Sequence, residues 1–480
     1  MLFNSLHFVF FFPIVILLYF SLPHRRRWLF LLATSYYFYM AWKPEYGLLL
    51  LFSTVVDYYA GLKIGQTQHQ FHRRCYLWLS LAVNLGVLFG FKYLNFFNET
   101  TRQLLDQFNI FYNVPAFDLL LPVGISFYTF QTLSYTIDVY QGRIEPEKHF
   151  GYFALYVSFW PQLVAGPIER ASHLLPQLKQ LHYFNEAEVK AGLIRILWGF
   201  IKKLVIADRL ALYVDEVYNN PGVYDGTTIL LATYFFTFQV YCDFSGYSDI
   251  AIGTAKVMGF QLSENFRRPF FARSPAEFWR RWHITMTNWF RDYLMFPLMR
   301  HPRLHLPWYA ALIITFILVG LWHGANWTFI AWGGLQGLFI MVGRWYQFYY
   351  HRYMPKLLPF TLPDKTIALL QIVLTFNLIT LSVIFFRADT IQQAVNYLQA
   401  IFFDWGWQIP PMPRGWPDFV LSLILIMALL VSEYLLQDRP IEEVIRPKVM
   451  PVRWAFYIAG LLLLTWFGVF TQNQFIYFEF

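Results

Sequence analysis

Residues 318–334 read LVGLWHGANWTFIAWGG and place a single histidine, His323, inside an otherwise apolar run. The segments on either side, 309–322 and 327–343, carry no charge. As helices, each reaches only about 20–25 Å, which is shorter than a bilayer core of about 30 Å. The run is interrupted by two glycines and an asparagine, Gly320, Gly324 and Asn326. His323 is therefore predicted at membrane depth, where an ionisable side chain indicates a functional site; a hydrogen bond between helices or a kink is the structural alternative.

The composition places the whole chain in a membrane. Of its 480 residues, 57% are hydrophobic and only 14% are charged, whereas soluble domains carry roughly 25% charged residues. The net charge of +8 is better explained by lysines and arginines at the membrane surface than by nucleic-acid binding. The two cysteines, Cys75 and Cys242, form neither a disulfide framework nor a metal set, and we expect no metal. Residues 1–480 are thus predicted to form one polytopic membrane domain.

Apolar runs predict an all-α integral membrane fold with about eleven transmembrane helices, plus re-entrant and interfacial helices. The expected crossings are residues 8–22, 28–42, 46–64, 76–97, 119–140, 228–260, 309–322, 327–343, 366–386, 420–436 and 454–470. The first run lacks a basic segment before it and is interpreted as a retained span. Basic loops at 24–27 and 72–74 are assigned to the cytoplasm, which places the N-terminus outside.

Four further segments have their own expected roles. Residues 98–113 are a polar segment outside the membrane, and 152–170, broken by prolines and a glycine, is interpreted as re-entrant. Residues 194–217 are expected to form a charged amphipathic helix at the membrane surface, and so are residues 391–403.

Asp243 and Asp249 fall inside the apolar run 228–260 and need partners or water there. They are either a proton relay or anchors for the arginines that follow. We favour the role of anchors.

Residues 263–303 are the most basic part of the chain. The segment contains only three acidic residues but eight arginines, at positions 267, 268, 273, 280, 281, 291, 300 and 303. They offer a dock for a phosphate-rich donor, or they reflect cytoplasmic topology and binding to anionic lipid.

A helix is predicted to begin at Pro275 within this basic segment. Trp279, His283, Met286 and Phe290 follow helical spacing on it, while Arg281 and Asn288 lie elsewhere on its surface. His283 is therefore either a packed core histidine or a functional one.

The absence of several motifs narrows the chemistry. The sequence contains no phosphate-binding loop, no G-x-S-x-G elbow and no H-E-x-x-H pair. A neutral imidazole is suited to take a proton from a hydroxyl as it attacks an acyl group, and Asn326 is a candidate donor to the oxyanion. These residues permit acyl transfer.

The sequence resembles the membrane-bound O-acyltransferase superfamily, in particular its bacterial alginate O-acetyltransferase type. The resemblance covers nearly the whole chain in order. It rests on MLFNSLHFVFFFPIV, LPVGISFYTFQTLSYTIDVY, FWPQLVAGPIER, YCDFSGYSDIAIG, NFRRPF, PAEFWRRWHITMTNWFRDYL, GLWHGANWTFIAWGGLQG and FFRAD.

The resemblance implies helices around a central tunnel, a catalytic histidine at His323 and a second family position, histidine or asparagine, at His283. It implies acetyl-CoA as the donor, with no bound cofactor. The candidate substrate- or donor-binding residues are Asn326, Trp322, Asp243, Arg280, Arg281 and Asn288.

It also implies a multi-pass protein of the bacterial plasma membrane. The partners are then a polysaccharide acceptor and an extracytoplasmic transferase or relay protein, without nucleic acid. The alternatives are D-alanyl transfer to teichoic acid, peptidoglycan O-acylation, transport of a polar solute, and a structural scaffold. Transport would favour repeated halves, which the sequence lacks.

Overall fold

The computed structural model describes all residues except 113, 118–119, 303, 358–362, 407–414, 471–474 and 477–480, and only the backbone of 350–357. Arg303 and the start of the predicted crossing 119–140 therefore lie outside the described residues. Every regular element in the described part is helical.

The chain divides into two compact units, which share the long helices α10 (Glu186–Phe200) and α12 (Gly226–Val257). The first unit comprises residues 1–196 and 247–263. Its helices are α1 (Leu6–Ser21), α2 (His24–Met40), α3 (Tyr46–Gln66), α4 (Gln70–Leu88), α5 (Leu94–Asp106), α6 (Ile125–Tyr140), α7 (Phe150–Ser158), α8 (Trp160–Leu163) and α9 (Ala171–Lys179).

The second unit comprises residues 197–246 and 264–476 and holds both histidines of interest. Its remaining helices are α11 (Asp208–Tyr218), α13 (Pro275–Arg281), α14 (Ile284–Phe290), α15 (Phe296–Arg300), α16 (Trp308–His323), α17 (Trp327–Leu357), α18 (Asp364–Arg387), α19 (Ile391–Phe403), α20 (Trp416–Leu436), α21 (Ile441–Ile445) and α22 (Met450–Phe467).

Within the described residues, five helical stretches are long and apolar enough to cross a membrane. They are α3, α4 continued through α5, α18, α20 and α22. The helices α1 and α16 are apolar but shorter. The chain is thus a multi-pass membrane protein, and the number of eleven crossings stays a prediction.

In the first unit, one predicted boundary changes and another is confirmed. The fourth run does not end at residue 97, because a π-helical turn (Phe89–Tyr93) joins α4 to α5 and the helix continues to Asp106. The break before α6 is confirmed at Gly124, which has φ 78° and whose added Cβ would lie 2.7 Å from the Leu163 carbonyl oxygen. Only glycine fits such a conformation at so close an approach.

The predicted surface helix at 194–217 is wrong. A π-helical segment, Ile201–Ala207, separates α10 from α11, and all seven of its residues are buried. Two of the basic side chains lie inside because each meets a carboxylate: Lys203 lies 2.9 Å from Asp208, and Arg209 pairs with Asp418. Lys202 donates to the Ser245 hydroxyl at 3.0 Å. Buried charges are tolerated in this way when they are paired.

The hairpin of α16 and α17 is packed closely enough to exclude side chains at its crossing. A Cβ added at Gly320 would overlap the Phe329 carbonyl oxygen, and one at Gly333 would overlap the Phe316 carbonyl oxygen. Gly320 was predicted to interrupt the run. It lies instead within α16, at the contact between the two helices. The second arm is also longer than expected, since α17 has 31 residues.

Candidate active site

His323 is the last residue of α16, and the chain leaves the helix at once. Gly324 is extended, with φ −158° and ψ 147°, and α17 begins at Trp327. The predicted break beside His323 is therefore present, three residues long. The imidazole is 2% exposed.

Three aromatic rings pack around the His323 imidazole. Its centroid lies 4.9 Å from that of Trp322, 5.1 Å from Trp332 and 5.3 Å from Phe386. The rings of Trp332 and Phe386 also contact each other, with centroids 5.1 Å apart. His323 therefore lies in a buried aromatic setting, in which electrostatic interactions are stronger than in water.

His283 does not lie within a continuous helix, which corrects the predicted helical stripe. Helix α13 ends at Arg281 and α14 begins at Ile284, so His283 stands between them with φ 42° and ψ 54°. The physical reason is a set of partners from an earlier segment. The Asn265 carbonyl accepts from the Ile284 amide at 3.0 Å, and the Arg267 amide donates to the Arg281 carbonyl at 2.9 Å.

The His283 ring is fully buried between aromatic side chains. Its centroid lies 4.5 Å from that of Phe244 and 5.9 Å from that of Trp322. His283 lies outside the candidate membrane spans, and burial lowers its pKa well below the ordinary value of 6.5. Its imidazole is therefore neutral at physiological pH.

Trp322 joins the two histidines of the site. Its indole contacts both imidazoles, which the sequence separates widely. Trp322 was predicted as a binding residue, and its position between two candidate catalytic rings agrees with a role inside the site. That role stays a prediction.

The candidate polar residues have definite positions. The amide nitrogen of Asn326 donates to the Asp389 carbonyl at 2.8 Å, and its oxygen accepts from the Thr328 amide at 3.1 Å. One amide N–H of Asn326 is therefore engaged by the Asp389 carbonyl, and the side-chain oxygen holds the start of α17. Of the other candidates, Asn288 is half-buried on α14 and Arg280 is exposed on α13.

Arg281 is held by carboxylates on two elements. It donates to Glu277, with nitrogen–oxygen distances of 2.9 and 3.0 Å, and to Asp438 at 3.0 Å. These contacts make Arg281 part of a structural network, whereas Arg280 is exposed to solvent.

Asp243 and Asp249 both form ion pairs, and their basic partners precede them in the chain. Asp249 binds Arg195 at 2.9 Å, while Asp243 pairs with Lys203 and accepts from the Ile476 amide at 2.9 Å. The prediction that they anchor the following arginines is therefore wrong in the identity of the partners. The reason is that α10 packs along α12, which brings the basic residues close to the two aspartates. Glycines allow the backbones to approach there: a Cβ added at Gly246 would lie 2.7 Å from the Gly199 carbonyl oxygen.

The sequence analysis did not identify a chain of hydrogen bonds beside the site that connects Trp279, Gln336 and Ser382. The Trp279 indole N–H donates to the Gln336 side chain at 3.2 Å, and Gln336 donates to the Ser382 hydroxyl at 2.7 Å. Gln336 is a lone amide in the apolar run 327–343, which was a detectable signal. Trp332 and Phe386 gave no such signal, because aromatic residues are common throughout this chain.

Comparison with known proteins assigns the family. The model of the membrane-bound O-acyltransferase family matches residues 147–386, which include both histidines. The chain is 37% identical over 420 residues to the probable alginate O-acetylase AlgI of Pseudomonas aeruginosa, covering 86% of this chain and 77% of that protein.

Two further relatives cover most of the chain. It is 34% identical to the probable alginate O-acetylase AlgI of Pseudomonas putida, over 98% of this chain and 94% of that protein. It is 35% identical to the peptidoglycan O-acetyltransferase of Helicobacter pylori, over 84% and 80%. The chain therefore belongs to the membrane-bound O-acyltransferase family and is a multi-pass membrane O-acyltransferase, which confirms the predicted enzyme class.

Proposed function

We propose that this enzyme transfers an acetyl group from acetyl-CoA to a hydroxyl of an extracytoplasmic polysaccharide, directly or through a relay protein. The observation that carries the proposal is the contact of one indole, Trp322, with two buried imidazoles at breaks between helices. The three relatives described above are named as O-acetylating enzymes of alginate or peptidoglycan, which supports an acetyl group and a glycan acceptor.

In the proposed reaction, His323 acts as the general base. Its neutral imidazole takes the proton of the attacking hydroxyl as the oxygen bonds to the acetyl carbonyl carbon. The carbon–sulfur bond of the thioester then breaks, and the imidazolium returns the proton to the departing thiolate. No net proton is released, so the site needs no external acid.

His283 supports this step without exchanging a proton with solvent. Its lowered pKa keeps the ring neutral, and its ring contact with Trp322 links it to the wall beside His323. We assign it to orienting that wall or the bound donor.

We assign the donor's phosphates to the exposed arginine surface, with Arg280 as the first candidate, since Arg281 is engaged by carboxylates. Guanidinium groups bind phosphate through paired charged hydrogen bonds. Asn288, Asp243 and Asn326 are proposed to shape the site rather than to react.

We further propose a bacterial plasma-membrane location with an extracytoplasmic N-terminus. The donor is made inside the cell and the polymer lies outside, so the site has to be accessible from both faces. A soluble extracytoplasmic partner then carries the group onward to the polymer, or presents the polymer to the site.

The test uses purified enzyme in proteoliposomes with radiolabelled acetyl-CoA outside or inside and a glycan acceptor in the opposite compartment. Alginate oligomers and peptidoglycan fragments are compared as acceptors, with and without extracytoplasmic proteins of the same pathway. We expect label on the acceptor only when donor and acceptor lie on opposite, correctly oriented sides. Label transfer to neither acceptor under any arrangement, with intact protein, would contradict the proposed substrates.

A further inference from the structure

The loop that holds His283 is braced by a segment that precedes α13. In addition to the two backbone bonds that end the helix, Asn265 accepts from the Thr285 amide at 3.2 Å and from the Thr285 hydroxyl at 3.0 Å. Residues 265–268 therefore run beside residues 281–285 and replace the hydrogen bonds that a continuous helix would have made.

Both sides of this brace contain a residue in an unfavourable backbone conformation. Arg268 has φ 44° and His283 has φ 42°, and neither is a glycine. Left-handed conformations of such residues persist only where the surrounding structure determines them. The apolar stripe at Trp279, His283 and Met286 is compatible with an uninterrupted helix, so the sequence itself offers a competing state.

One carboxylate ties the two sides together from outside. Asp438, which follows α20, accepts from Arg268 at 2.9 and 3.2 Å and from Arg281 at 3.0 Å. Arg281 reaches back to the Arg267 carbonyl at 3.3 Å and is also held by Glu277. The Asp438 carboxylate thus bridges Arg268 on one side of the brace and Arg281 on the other.

The charge state of this bridge agrees with a permanent contact. Burial acts to raise the pKa of Asp438, but the hydrogen bond from Arg268 and the charges of both arginines outweigh it. Its pKa lies below the ordinary value of 3.8, so the carboxylate is ionised at every physiological pH.

We propose that Asp438 is a positioning residue for acyl transfer, which keeps His283 in its left-handed conformation by clamping Arg268 to Arg281. The inference rests on the proposed function, because it assumes that the position of His283 affects the reaction. Asp438 itself is half-exposed and touches no reacting group; it acts through the backbone at 281–285.

The experiment compares the wild type with Asp438→Asn, Asp438→Glu and Asp404→Asn. The control removes an exposed carboxylate from the same unit for which the described contacts show no ion pair. For Asp438→Asn we expect kcat to fall about 10- to 100-fold, with the KM for acetyl-CoA changed by less than about two-fold. Asp438→Glu should recover a large part of kcat, and Asp404→Asn should match the wild type.

Hydrogen exchange supplies the readout that a general loss of stability would not produce. In Asp438→Asn, the amides of Ile284 and Thr285 should exchange faster, while the amides within α16 keep their protection. If Asp438→Asn fails to fold, the decision passes to Arg268→Gln, which removes one arm of the clamp and should also lower kcat and speed the exchange of the Ile284 and Thr285 amides. Wild-type kcat and exchange in that variant would overturn the proposal.

Wild-type kcat in Asp438→Asn, or equal exchange of the two amides, would also overturn it. A uniform loss of protection across the unit would show a purely structural role and overturn it equally. Failure of the proposed function looks different, because the wild type itself would then transfer no acetyl group, or His283→Ala would be fully active.

Discussion

His283 combines full burial with a backbone conformation that histidine adopts rarely. Such strain costs of order 1–3 kcal/mol and is found where function requires a particular geometry. The contacts from Asn265 and Arg267 hold this geometry in place. At the scale of the residue, this conformation is what lets the ring of His283 pack against both Phe244 and Trp322.

Substitutions at residue 283 should separate backbone strain from chemistry. Asparagine adopts left-handed conformations readily, whereas a β-branched residue does so poorly. We expect His283→Asn to keep a melting temperature closer to that of the wild type than His283→Val. Thermal unfolding in detergent measures this, and equal destabilisation by the two substitutions would contradict the strain.

The pair of His173 and Glu169 should make stability depend on pH. The His173 Nδ1 lies 2.6 Å from the buried Glu169 carboxylate, and this hydrogen bond raises the pKa of His173 above 6.5. A raised folded-state pKa stabilises the protein fully below the unfolded value and loses that effect as pH rises through the folded value.

We therefore expect the melting temperature of the wild type to exceed that of His173→Gln most clearly below pH 6.5. The difference should shrink as the pH rises towards 9. The effect is modest because the imidazole is half-exposed. A difference that grows with pH would contradict the assignment of the raised pKa.

Among the elements, the hairpin of α16 and α17 positions the proposed base. Close approach at Gly320 and Gly333 holds the last turns of α16 against α17, and with them His323. Small residues at helix crossings allow this approach in membranes, where packing rather than the hydrophobic effect drives helix association.

Two neighbouring glycines offer a matched test of this packing. A Cβ at Gly333 would overlap a backbone oxygen of α16, whereas the nearest atom to a Cβ at Gly334 is 4.0 Å away. We expect Gly333→Ala to destabilise the protein by about 1–3 kcal/mol and to abolish most activity. Gly334→Ala should resemble the wild type in melting temperature and turnover, and equal effects of both would refute the close crossing.

At the scale of the whole molecule, several charges lie in the interior and are held there in ion pairs. Lys203, Arg209 and Arg195 are each at most about 5% exposed and each meets an aspartate. In the second unit, Arg209 also donates to the Phe467 carbonyl at the end of α22. Such pairs connect parts of the chain that are distant in sequence. Each charge needs its partner, because an unpaired charge in the interior is costly.

Removing one partner should reveal this cost. Asp418→Asn leaves the Arg209 guanidinium buried without its carboxylate, and we expect a loss of about 3–5 kcal/mol in stability. The control is Glu99→Gln, which breaks the exposed pair with Arg102 and should cost less than about 1 kcal/mol. Similar melting temperatures for the two variants would be inconsistent with a buried ion pair.

The order of helices and the break beside His323 followed from local sequence, since apolar length and the Gly-Ala-Asn segment both act over a few residues. The geometry at His283 did not, because its stripe suits a continuous helix and the decision comes from Asn265 and Arg267, earlier in the chain. The partners of Asp243 and Asp249 escaped prediction for the same reason. Long-range pairing depends on how helices pack, which a single sequence does not display.

The central claim is that His323 removes the proton of the attacking hydroxyl. The most direct measurement is single-turnover transfer of radiolabelled acetyl from acetyl-CoA to acceptor by the wild type, His323→Gln and the exposed-histidine control His72→Gln. We expect His323→Gln to lose about 10²- to 10⁴-fold in rate with an unchanged melting temperature, and His72→Gln to keep the wild-type rate. Wild-type rates in His323→Gln would contradict the account.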